Sequence, residues 1–238
     1  MYEHNVSADL NWIEAGNTSE TIYDLKGEKY QEIFYKMKSV ISNQFQNDIH
    51  KGIKGFVLFG PAGTGKTTLV KVIAKSLHKP LLFIDGKDVA GELYGQSEKN
   101  IDNIFKQAKK KKCIILIDDA ESVFPDREWS KGQSWHSSQN NQLLHALDNL
   151  DTSQNVVIMT TNKPQLLDVA LKDRLYEIEV GAPSIEVLTE IAKAKCEELN
   201  INDTEVIEEI KDCQSVRAVE KIVIEHYIRT LENGNGSS

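Results

Sequence analysis

The residues Gly60-Pro-Ala-Gly-Thr-Gly-Lys-Thr67 fit the spacing G-x-x-x-x-G-K-[ST] and directly follow the apolar run Phe56-Val-Leu-Phe59. A strand that feeds a glycine-rich turn opening into a helix aims backbone N–H groups and a lysine at phosphate oxygens, so this stretch implies ATP binding. Gly60, Pro61, Ala62, Gly63, Thr64 and Gly65 would form the cradle. Lys66 would reach the β- and γ-phosphates and Thr67 would offer its hydroxyl to Mg²⁺, with Thr68 adjacent. A second element is Ile114-Ile-Leu-Ile-Asp118-Asp119, an apolar strand that releases carboxylates at its C-terminal end, where open α/β sheets place ligands. Asp118 is the expected Mg²⁺ holder, directly or through water. The third is Thr161-Asn162 at the end of the strand expected over 156–160. Its amide can orient a water against the γ-phosphate, although Asn162-Lys-Pro164 taken alone is equally a turn starter.

Positioning these groups takes a sheet. Helical spacing over 28–49 precedes the strand at 56–59, and the helix after the phosphate loop carries Leu69, Val72, Ile73 and Leu77 on one side. Strands are expected at 81–84, 113–117, 156–159 and 176–180, with a helix over 100–112, a polar loop over 125–138 and a helix over 141–150. Alternating strands and helices predict a mostly parallel sheet covered on both faces. The fold class is therefore α/β, a parallel five-stranded P-loop NTPase core sandwiched by helices and followed by a small all-helical lid with helices near 184–198, 203–210 and 215–231. The expected organisation is an arm over 1–18 that stays mobile until it packs, an ATPase domain over 19–181, a lid over 182–231 and a disordered tail over 232–238.

The chain has 238 residues, long enough for one α/β domain with a small satellite. Its 28 Lys plus Arg against 36 Asp plus Glu give a formal charge of -8, which weighs against a protein built to coat nucleic acid. The run Lys109 to Lys112 reads as a solvated helix end favourable to the dipole, with polyanion binding as the alternative. Cys113, Cys196 and Cys213 have no ligand-like spacing, which implies a reducing compartment and no structural metal. No apolar run approaches the length of a membrane span and no signal peptide is legible, so a cytoplasmic location is expected. Trp129 and Trp135, aromatics in an otherwise polar loop, are candidate partner anchors.

Taken in order, these elements resemble the AAA+ ATPases, in particular the classical AAA group of ring-forming, protein-remodelling enzymes. The resemblance runs from Ile22-Tyr-Asp-Leu-Lys-Gly27 to Tyr227. Gly91-Glu-Leu-Tyr-Gly95-Gln-Ser-Glu-Lys-Asn100 is similar to the family's pore segment and the stretch after it. Asn141 to Leu150 resembles the helix that ends in the inter-subunit signalling element, and Thr161 to Leu171 resembles the second region of homology. The resemblance implies Mg²⁺-dependent ATP hydrolysis in a homo-oligomer, a hexamer, acting on a protein substrate or adaptor. It makes Asn162 the polar sensor and Arg174 the arginine that reaches a neighbour's site, against a plain surface reading. Lys172 stands near the family's usual first arginine, leaving one guanidinium. Arg217 is similar to the sensor arginine of many AAA+ lids, or is a surface residue. Leu93 takes the place of the pore aromatic, with Tyr94 next to it. The family's water-activating glutamate is replaced by Asp119, one methylene shorter, which predicts slow turnover. Glu121 is an alternative base only if the backbone turns it inward. Two further readings stay open: an ATP-dependent switch or scaffold with little hydrolysis, and a nucleic-acid-associated loader.

Overall fold

The computed structural model describes residues 10–20, 25–85, 89, 96–126 and 134–235. Six strands form one sheet: β1 (Asn11–Ile13), β2 (Gly55–Phe59), β3 (Leu81–Ile84), β4 (Cys113–Ile117), β5 (Asn155–Thr161) and β6 (Tyr176–Glu179), in the order β1-β3-β4-β5-β2-β6. The pairs among β2 to β6 are parallel, which gives the expected five-stranded core. The difference is β1, which joins β3 antiparallel with Trp12 opposite Leu82, although residues 1–18 read as an arm. A polar segment with isolated apolar residues carries no alternation long enough to announce a three-residue strand.

β2, β3, β4 and most of β5 are nearly continuous apolar runs because both faces are covered, whereas the edge strand β6 is exposed at three of its four residues. On one face Ile114 and Leu116 of β4, Val156 and Ile158 of β5 and Phe56 and Leu58 of β2 pack with α1 (Glu28–Gln46) and α2 (Lys66–Ser76). The intervening Cys113, Ile115, Ile117, Val57, Val157 and Met159 pack on the other face with α3 (Gln96–Ala108), α4 (Ala120–Val123) and α5 (Ser134–Asp148). The two-residue side-chain period of a strand sorts these residues between the layers. After α6 (Val169–Lys172) and β6, the chain enters a helical unit of α7 (Ile185–Leu199), α8 (Thr204–Glu209) and α9 (Val216–Asn235). These helices enclose a separate apolar centre around Leu188, Ala192, Cys196, Val206, Ile210, Val219 and Val223.

Several boundaries differ from the sequence reading: the helix expected over 100–112 spans Gln96–Ala108, and the one expected over 28–49 ends at Gln46. The helix expected to begin at 141 begins at Ser134, and the residues just before 141 bury polar rather than apolar side chains: Gln139 is buried, and Asn140, fully buried, donates to Pro125 O (2.9 Å) and Asp168 Oδ2 (2.8 Å). The last helix continues past 231 to Asn235. Lys109, Lys110 and Lys111 are exposed, as expected of a solvated helix end, but the last two lysines of the run also make distant contacts. Lys111 Nζ lies 3.8 Å from the Trp12 ring centroid and 3.1 Å from Glu14, while Lys112 Nζ donates to Phe45 O (2.6 Å) and Asp48 (2.9 Å). No helix among the described residues is long and apolar enough to cross a membrane.

Candidate functional site

The adjacent strands β4, β5 and β2 end side by side, and each releases polar groups at its C-terminal edge. Asp118 and Asp119 follow β4, Asn162 follows β5, and the glycine-rich loop follows β2. The loop requires its glycines. A Cβ on Gly60 (φ 148°) would stand 2.0 Å from Val180 O, and Gly63 (φ 72°) would meet the Arg217 Cβ at 2.9 Å. Gly65, left-handed at φ 84°, leads into α2.

A cavity of about 210 Å³ opens over this edge, lined by Ala62 to Thr68, Asp118, Asp119, Thr160, Asn162 and the lid residues Val216, Arg217 and Glu220. Lys66, only 6% exposed, donates to Gly60 O (2.9 Å), Pro61 O (2.8 Å) and Asn162 Oδ1 (2.7 Å). Burial lowers its pKa, and the carboxylates of Asp119, Glu121 and Asp118 oppose that shift. Thr67 Oγ1 donates to Asp118 Oδ1 at 2.8 Å, so a hydroxyl and a carboxylate stand together at the cavity wall. That pairing of hard oxygen donors suits a magnesium ion, which favours few protein ligands and retains several waters. Asn162 Nδ2 donates to Asp119 Oδ1 (3.1 Å), so one amide joins the lysine to the second aspartate. Asp119 is itself in the left-handed region (φ 49°, ψ 50°), a conformation that aspartate tolerates better than most side chains. Desolvation raises its pKa, as do the neighbouring charges of Asp118 and Glu121.

Residues 56–182 match the family described as ATPase family associated with various cellular activities (AAA). The chain belongs to the AAA ATPase family. Similar curated proteins include the Cell division cycle protein 48 homolog of Archaeoglobus fulgidus, 33% identical over 67% of this chain and 22% of that protein. The ATP-dependent zinc metalloprotease FtsH of Clostridium perfringens is 34% identical over 66% of this chain and 23% of its own length. The Proteasome-activating nucleotidase of Methanococcus vannielii is 33% identical over 68% of this chain and 42% of its own. The chain thus spans less than half the length of each of these relatives.

Within this AAA core the structure gathers Ala62 to Thr68, Asp118, Asp119, Asn162 and Arg217 around one cavity, with the Gly60 and Pro61 carbonyls holding Lys66 at its base. Arg174 stands apart from that cavity. Its Nε and Nη2 donate to the two oxygens of Asp148 (2.9 and 3.1 Å) and its Nη1 to Ala170 O (3.0 Å). The Arg174 and Lys54 bonds hold the Asp148 carboxyl well below the usual range. Glu121 is turned inward, a geometry that the sequence left open. Its Oε1 accepts from Asn162 N (3.2 Å), and its Oε2 is buried without a hydrogen-bond partner among the described residues. Leu93, Tyr94 and Trp129 lie outside the described residues, and only the backbone of Trp135, within α5, is described.

Two contributors were missed in the sequence. Thr160, 2% exposed, donates from Oγ1 to Asp118 Oδ1 (2.5 Å) and accepts from Asp119 N (3.1 Å), so one hydroxyl ties both aspartates to β5. A β-branched residue near the end of an apolar strand looks like any other strand residue. Its position one strand away from a double aspartate, in a parallel sheet, is the signal that was available. Tyr30 of α1 is the other, concealed in a helical apolar stripe. It lines a second cavity of about 470 Å³ beside the loop, together with Leu25, Thr68, Pro183, Val187 and Ile191 among others.

Proposed function

We propose that the chain hydrolyses ATP with Mg²⁺ at the subunit interfaces of a homo-oligomeric ring, a hexamer in the cytoplasm, and that hydrolysis drives remodelling of a protein partner. The observation that carries this reading is the convergence of Lys66, Thr67, Asp118, Asp119 and Asn162 on one cavity at the ends of three neighbouring strands. Thr67 and Asp118 would hold Mg²⁺, which when bound neutralises phosphate charge. The second cavity, mixed apolar and polar, adjoins the loop through Thr64, Gly65 and Thr68 and offers space for the nucleoside.

Lys66 exchanges the Gly60 and Pro61 carbonyls for phosphate oxygens, trading neutral acceptors for anionic ones in a site where burial disfavours its unpaired charge. Asp119 takes a proton from water as the water oxygen bonds to the γ-phosphorus and the bond from that phosphorus to the bridging oxygen of ADP breaks. Asn162, already bonded to Asp119, orients that water. The raised pKa of Asp119 brings it closer to the working range of a general base. Arg174, outside its own protomer's cavity, acts in the neighbour's, where a guanidinium stabilises charge on the transferred group.

A slow, switch-like turnover is the second reading. It rests on the short Asp119 side chain, hydrogen-bonded to Asn162. In both readings, specific ATPase activity rises with protein concentration. Mixing Arg174→Ala with Lys66→Ala should restore activity that neither variant has alone, because mixed interfaces pair an intact loop with an intact arginine. Constant specific activity on dilution to monomers, with no complementation, overturns the ring reading. Equal Mg²⁺-ATP affinity of Lys66→Ala and the parent chain overturns the site itself.

A further inference from the structure

The phosphate loop is held from behind by its carbonyls. Gly63 O accepts from the lid amide Val216 N at 3.0 Å, and Thr64 O accepts from the Tyr30 phenol at 2.5 Å. Each of these bonds has a consequence on the other side of the loop. In a trans peptide the C=O and the following N–H point in opposite directions, so an anchored carbonyl fixes where the next amide hydrogen aims. Thr64 O anchored on Tyr30 turns the Gly65 N–H away from Tyr30. Tyr30 borders only the larger cavity, whereas Gly65 borders both, so this direction leads toward the cavity of Lys66 and Asp118.

Tyr30 also faces a second acceptor. Gly181 O, where the chain leaves β6 for the lid, lies 3.2 Å from the phenolic oxygen. The surrounding turn of α1 is wedged against the same junction. A Cβ on Gly27 (φ 89°) would stand 2.8 Å from Val187 Cγ2 of α7, and one on Gly181 would stand 3.0 Å from Lys29 Nζ. The ring is 8% exposed and the phenol has one proton for two carbonyls, so the strength of either bond depends on the placement of the other acceptor.

We propose that Tyr30 is a positioning residue that sets the phosphate loop's amides for a nucleotide β-phosphate and, through Gly181, ties that setting to the lid. The proposal rests on the ATP-site reading and adds a residue whose hydroxyl acts through the loop, while its ring lines the cavity assigned to the nucleoside. It predicts that ordering the loop orders the lid, because Gly63 and Thr64, consecutive residues, are anchored on α9 and α1 respectively. Lid closure and phosphate binding then become coupled equilibria, each favouring the other.

The test uses the full chain with Mg²⁺ and ADP as the probe, and compares the parent with Tyr30→Phe, which keeps the ring and removes the proton. Calorimetric titration should show ADP affinity lowered about tenfold in Tyr30→Phe, in keeping with one lost positioning hydrogen bond. Amide hydrogen exchange should show ADP slowing exchange at both Gly65 and Val216 in the parent, with the Val216 effect lost in Tyr30→Phe. A lower melting temperature with ADP affinity within twofold and lid protection unchanged would mean an ordinary packing role and overturn the proposal. The parent supplies a check that needs no variant: ADP protection of the loop with none at Val216 overturns the tie to the lid. Failure of the parent to bind ADP would instead refute the ATP-site reading, and the role of Tyr30 with it.

Discussion

Thr160→Val is the sharpest probe of the site, because it keeps the shape of a buried side chain and removes one hydroxyl. That hydroxyl donates to the Asp118 carboxylate at 2.5 Å and accepts from Asp119 N at 3.1 Å. Losing a hydrogen bond to a charged group costs about 1.5–3 kcal/mol, and stranding a donor adds about 1–3 kcal/mol when it is fully buried. Both aspartates retain access to water and Asp118 keeps the Thr67 bond, so the low end applies and the sum is about 2 kcal/mol. With a slope of about 2 kcal/mol per molar urea, the unfolding midpoint should fall by about 1 M. Hydrolysis should suffer more than stability. The Asp118 carboxylate and the Asp119 backbone lose their tether to β5, and a displacement of about 1 Å at a reacting group costs on the order of a hundredfold in rate. Urea unfolding followed by tryptophan fluorescence and a steady-state phosphate-release assay measure the two effects, and Thr160→Ser should recover most of each. An unchanged urea midpoint together with parental kcat would refute the idea that Thr160 positions the aspartates.

Asp119 and Cys113 give two further predictions. The Asp119 pKa is raised in the fold, so the native state binds its proton more tightly than the unfolded chain does; its contribution to stability is full below the unfolded value and is lost as pH rises through the folded value. Asp119→Asn should therefore melt at or above the parental temperature at pH 7 while hydrolysis falls at least a hundredfold, and Asp119→Glu should accelerate single-turnover hydrolysis; a destabilised Asn variant or a slower Glu variant contradicts this account. The buried Cys113 thiol, pushed up to about 12 by desolvation, should resist iodoacetamide at pH 8 in the native protein and react on unfolding, as peptide mass mapping would reveal.

Legibility followed the physical signal that each element carries. Four of the five parallel strands were read from apolar runs because burial on both faces leaves few polar residues to interrupt them, whereas β6, with Glu177 and Glu179 exposed, gave a weaker signal. The phosphate loop was readable because only glycine relieves the contacts at Gly60 and Gly63. Asp118 and Asn162 could be found because strand ends in such sheets converge. Thr160 and Tyr30 were hidden since each contributes through a single hydroxyl on an otherwise ordinary strand or core residue. The inward turn of Glu121 depends on the left-handed backbone of Asp119, a conformation without a compositional mark. The early start of α5 was concealed by buried amides in place of apolar residues.

The three residues of β1 do more than lengthen the sheet. With Asn11, Trp12 and Ile13 paired to Phe83, Leu82 and Leu81, the outer amides and carbonyls of β3 are already engaged and cannot serve as a template for a stray strand from another molecule. The opposite margin is guarded differently, by the exposed carboxylates Glu177 and Glu179 on β6. Removing β1 would leave the four-residue apolar border of β3 open to unwanted cross-molecular pairing, so the earliest symptom of its loss should be aggregation during refolding, before any defect in catalysis.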